Sequence, residues 1–211
     1  MGCLTDNARN KEYKIMVRKY FLRLILAAAV LGLAACGGLR FSQLDPAAKD
    51  YHPKRIAVFP ADVGTYEEAR AHIEQIVPGV LIDTKWFTDV IDTPSLNRQI
   101  QANDELRRAT AEYLSKLQAL NYSDPLLCRK IGELTKTDGL LLVAVDFWNY
   151  TVEKDDKLAK VSIGLKLIDT ASGKTMWKAG HHLGKTYILI KPDLADVARS
   201  VVKEMVEEMP H

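Results

Sequence analysis

Leu33-Ala34-Ala35-Cys36 sets a thiol directly after a run of small residues. An apolar stretch, Leu24 to Ala35, precedes it, and a basic cluster of Arg18, Lys19 and Arg23 precedes that. A basic n-region, a short apolar h-region and small residues at the cut make a secretory signal. The stretch is too short for a spanning helix, which needs about 20 apolar residues. A cysteine immediately after the box makes it a lipoprotein signal. The spacing therefore predicts cleavage after Ala35 and a mature chain that begins at Cys36, with acyl chains on its sulfur and its amine. Met1 to Ile15 is polar and an odd extension ahead of the basic cluster, so Met16 is the expected start. Met1-Gly2-Cys3 does not suit myristoylation, because the motif wants Ser or Thr where this chain has Asp6.

Other chemistry is sparse. Of three cysteines, lipid consumes Cys36 and the leader carries Cys3, leaving Cys128 without a partner for a disulfide. Its segment, Pro125 to Ile131, reads as helix, so Cys128 is expected to be a small buried hydrophobe. His181-His182 are adjacent on a strand and point to opposite faces, so they cannot share a metal easily. His52, His72 and His211 lie elsewhere, and no metal or cofactor is expected. Asp89 and Asp92 flank a short strand before Pro94 and read as turn formers. Trp148, Tyr150 and Trp177 suit core packing or an aromatic patch. With Asp146, the first two form a row, Asp146/Trp148/Tyr150, that offers a surface for a partner. No nucleophile and base stand at a telling spacing, and the expected class is not an enzyme.

The whole chain of 211 residues has a formal charge of +2. The leader holds more basic than acidic residues, so the rest is slightly acidic. That excludes a broad basic field for nucleic acid. The length suits one domain. Residues 1–35 are expected to be the signal, 36–52 a lipidated tether and 53–211 a single domain.

Within that domain Arg55 to Val58 reads as a short buried strand ended by Pro60. Ala69, Ile73, Ile76 and Val77 have helical spacing, and Pro78-Gly79 should end or kink that helix before it resumes over Val80 to Phe87. Thr88 to Asp92 is a strand. Asn103 to Leu120 is the clearest helix, with Leu106, Ala109, Tyr113, Leu114, Leu117 and Leu120 on one face and Asn103 as its cap. Pro125 to Thr135 follows as a helix. Gly139 to Thr151 begins apolar on both faces, as in a central strand. Leu158 to Asp169 alternates, and a turn at Asp169 to Lys174 leads to a third strand over Thr175 to His182. Pro192 to Met209 closes as a helix capped by Asp193. The order predicts an α/β sandwich: a mixed sheet with an antiparallel C-terminal meander and helices packed on it.

Lys54-Arg55-Ile56-Ala57-Val58-Phe59-Pro60 resembles the K-x-I-A-V-x-P opening of the CsgG/PelC/LpoB-like superfamily of bacterial envelope lipoproteins. Phe87-Thr88-Asp89-Val90-Ile91-Asp92 resembles its second strand, and Thr137 to Val143 its entry to the third. Leu165 to Trp177 resembles its L-x-D-x-x-T-G-x-x-x-W hairpin, with Ser172 where Thr is usual. The family's pore-forming branch needs long amphipathic insertions, and Val152 to Lys157 is too short to supply one. The resemblance implies a periplasmic, membrane-anchored accessory or scaffold of an envelope assembly or export system, acting as a homo-oligomer with other envelope proteins. A glycine after the lipidated cysteine favours the outer membrane. The alternative is a regulator that binds a peptidoglycan synthase. An enzyme acting on envelope polymers would need a pocket with a perturbed carboxylate or histidine, and no residue marks one.

Overall fold

A computed structural model describes residues 41–211. Their sheet has six strands: β1 (Phe41–Leu44), β2 (Arg55–Val58), β3 (Asp89–Ile91), β4 (Gly139–Glu153), β5 (Asp156–Asp169) and β6 (Thr175–Thr186). Its order is β1-β6-β5-β4-β2-β3. β2 runs parallel to both β3 and β4, and the other pairs are antiparallel. The helices are α1 (Arg70–Thr84), α2 (Thr93–Ala102), α3 (Asp104–Leu120), α4 (Pro125–Thr135) and α5 (Leu194–Val206). This is the α/β sandwich expected, with β1 added outside the β4-β5-β6 meander.

Side chains alternate across each strand, so each face buries its own set. One face carries Ile56, Val58, Leu141, Val143, Val161, Ile163 and Trp177, covered by the apolar stripes of α1 and α5. The other carries Ala57, Phe59, Leu140 and Ile168 under Leu96, Leu106, Tyr113 and Ile131 of α2, α3 and α4. That second cover reaches only the β3-β2-β4 half. Helix starts follow the local sequence. Asn103 accepts from Glu105 and Leu106 amides, and Asp193 from the Ala195 amide, as their residue types led one to expect.

Four elements differ from the sequence reading. Phe41–Leu44, placed in the tether, is an edge strand on Trp177–Gly180 of β6. Ser42 Oγ takes a hydrogen bond from Trp177 Nε1 at 3.1 Å, and the Asp45 amide donates to the Met176 carbonyl at 2.8 Å. Residues 93–102 form α2, where no helix was expected; Asp92 caps it by accepting from the Ser95 amide, with Pro94 in its first turn. Helix α1 runs unbroken through Pro78. Proline inside a helix costs about 3 kcal/mol, and burial of Ile73, Ile76, Val77, Val80 and Leu81 on the same helix offsets it. Finally, β6 extends beyond His182 to Thr186.

Candidate functional site

On the half of the second face that α2, α3 and α4 leave bare, the sheet and the end of α3 enclose an open groove of about 660 Å³. Its floor is Leu142 and Ala144 of β4, Gly164 and Lys166 of β5, and Lys178 and Gly180 of β6. Leu114, Leu117 and Gln118 of α3 form one wall and Phe41 of β1 the other rim. Asp62, Arg70 and Asp146 stand at one end.

The strand register places the charges. Lys166 lies directly opposite Lys178 across β5 and β6, a like-charge pair. Burial, then the nearby Lys178 charge, holds the Lys166 ammonium below its usual range. Asp146 is exposed and accepts a 3.4 Å hydrogen bond from Ser162 Oγ. Asp62 is held by backbone ties to β4: its amide donates to the Val143 carbonyl and its carbonyl accepts from the Val145 amide. Arg70 is spent on the Ala61 carbonyl at 2.7 Å and on Glu67. The groove therefore offers apolar walls, a lysine pair and two exposed carboxylates, Asp62 and Asp146. That suits docking of a surface. Among the described residues no three His, Cys, Asp or Glu side chains converge as a metal site would require.

Cleavage residues Leu33, Ala34 and Ala35 and the lipidation residue Cys36 lie outside the described residues. The row Asp146/Trp148/Tyr150 does not stay together, which corrects the partner surface read from it. A bulge between Val145 and Phe147 inserts one extra residue into β4. Period-two counting then fails, and the residues beyond the bulge change faces. Asp146 remains on the groove side. Trp148 turns to the helical side, is 3% exposed and stacks on His72 of α1 at 5.9 Å. Tyr150 is half-buried, and its hydroxyl donates to the Pro192 carbonyl at 2.9 Å. Trp177 is fully buried.

Cys128 is buried, as its helix suggested. Burial pushes its thiol pKa up, opposed by contacts with Ser123 and Tyr113. Such a thiol is a poor nucleophile. The two histidines divide as strand geometry requires: His181 is buried with Nε2 2.7 Å from Glu204 of α5, and His182 is exposed. The groove itself was missed. Its signals were the α3 stripe continuing to Leu117, past the fully buried Tyr113, and the Lys-x-Ser-x-Gly-x-Lys face of β5.

No family model matches the sequence, and no curated protein sequence does. Solved structures do match. The PelC dodecamer from Paraburkholderia phytofirmans aligns at TM-score 0.52 and 18% identity, covering 81% of this chain and 96% of that one. The hypothetical protein CT253 from Chlamydia trachomatis aligns at TM-score 0.53 and 10% identity, covering 72% of this chain and 93% of that one. At such identities the likeness shows a shared fold: this α/β sandwich has the overall fold of PelC.

Proposed function

We propose that the mature protein is a non-catalytic accessory lipoprotein of the bacterial outer membrane, anchored by acyl chains on Cys36, that works as a homo-oligomer in an envelope assembly or export system. The observation that carries this reading is the PelC fold, which its own structure records as a dodecamer, on a chain with a complete lipoprotein box. The groove supports it. Leu114, Leu117, Leu142 and Ala144 offer apolar surface that a second copy would cover. An apolar patch rimmed by charge is a common docking surface. Membership of the CsgG-like superfamily belongs to the same proposal.

Two measurements test it. Cells fed a labelled fatty acid should incorporate the label into the wild-type protein and not into Cys36→Ser, which should accumulate as unprocessed precursor or soluble periplasmic protein. Acyl chains on the serine variant would overturn the anchor. Native mass spectrometry and light scattering on mature Cys36→Ser protein should show an oligomer that dissociates on dilution. Leu117→Arg with Ala144→Arg should leave a folded monomer. A strict monomer in the parent at every concentration, on lipid and off it, would overturn the oligomer and favour the synthase-regulator reading.

A further inference from the structure

Three consecutive aliphatic side chains stand almost wholly in solvent. Ile188, Leu189 and Ile190 are 87%, 92% and 86% exposed, in the link from β6 to α5. Val152 on the β4–β5 hairpin beside them is 65% exposed, and residues of both segments line one shallow open hollow. Lys185 and Lys191 flank the triplet, with no carboxylate between them in the chain. The base of the tip is fixed. The Tyr187 amide donates to the Lys157 carbonyl at 3.0 Å, Tyr187 packs edge-on against Tyr150, and Lys191 Nζ lies 4.6 Å from the Tyr150 ring centre. Soluble surfaces rarely present such a cluster without a partner.

The strand register says which partner. β1 runs antiparallel to β6 with Phe41 opposite Gly180 and Leu44 opposite Trp177. Phe41 is therefore the residue of β1 nearest the end of the sheet toward which β6 runs, where the tip projects. Cys36 is five residues before Phe41, a span of at most about 18 Å. The tip begins seven residues beyond Gly180, about 23 Å along the strand. A lipidated Cys36 only five residues from Phe41 would keep that end of the sheet close to a bilayer.

We propose that the Tyr187–Lys191 tip is a second membrane contact, in which Ile188, Leu189 and Ile190 enter the interface of a phospholipid bilayer and Lys185 and Lys191 meet its headgroup phosphates. The lysine stems reach past the aliphatic side chains while their ammonium groups stay wet. An acylated Cys36 alone would leave the domain free to swivel; a second contact fixes its orientation and adds affinity. The orientation argument rests on the Cys36 anchor, and the contact itself does not.

The test uses mature chain with Cys36→Ser and Leu189→Cys, labelled on the introduced thiol with an environment-sensitive fluorophore, the buried Cys128 being protected. Vesicles of phosphatidylethanolamine and phosphatidylglycerol at about 3:1 should blue-shift the label, and nitroxide lipids should quench it. In the Leu189 parent, sedimentation with the same vesicles should fall on the order of tenfold in Ile188→Ser/Leu189→Ser/Ile190→Ser. Leu126→Ser, exposed on α4, should change nothing. If the anchor reading fails but the label still enters vesicles, the tip stands alone. A label that stays in water beside vesicles, both here and in the lipidated protein, overturns the contact. So does a blue shift without vesicles that grows with protein concentration, which would assign the tip to a second copy of the chain.

Discussion

The ring of Phe41 lies against the backbone of Gly180, in the space a β-carbon there would occupy. Strand β1 holds its place on β6 partly through this contact. Gly180→Val should expel the ring and loosen β1, at a cost of about 1–3 kcal/mol. Chemical denaturation should show the loss, and Phe41→Ala combined with Gly180→Val should cost less than the sum of the two.

Trp148→Ala should destabilise the fold by about 3–5 kcal/mol, because it opens a cavity between β4 and α1. A patch made for a partner would respond differently, with stability unchanged and binding lost. Thermal unfolding of the variant distinguishes the two fates.

The β4–β5 hairpin turns through Lys154 and Asp155, both with positive φ, at 49° and 72°. A two-residue turn of this kind prefers Asn-Gly. Left-handed backbone costs an ordinary residue about 1–2 kcal/mol. Lys154→Asn with Asp155→Gly should raise the unfolding midpoint in denaturant, and a lowered midpoint would show that these side chains stabilise the hairpin in another way.

Lys166 links stability to pH. Its folded pKa is lowered by burial and by Lys178, so the folded state binds fewer protons than the unfolded one between that pKa and about 10.4. Stability should therefore rise with pH across this window. Lys166→Met should flatten the rise in denaturation curves taken from pH 7 to 10. Above about 10 the sign reverses, because Tyr51 and Tyr113 have pKa values pushed up chiefly by burial and resist ionising in the fold.

Cys128 should react with thiol reagents only as fast as its helix opens. The thiolate is disfavoured by burial, and the reagent has no path to it. A rate in native buffer that matches a denatured control would overturn this.

Most of the fold could be read from residue order because each strong period has one physical cause. The stripe of α5 and the alternation of β5 each reflect a single buried face. The misses have causes too. β1 is four exposed residues whose strand character comes from β6, through a glycine and a tryptophan more than 130 positions away. The bulge at Asp146 changes the faces of later residues without a glycine to mark it. The groove is visible only once α3 is seen to stop over bare sheet.

Strand β1 also decides how the fold meets a mechanical pull. A tug on Phe41 directed along the strand axis would load β1 against its antiparallel neighbour β6. The bonds between the strands are then sheared together rather than peeled one at a time. The Trp177–Ser42 hydrogen bond and the Phe41–Gly180 contact take the strain with them.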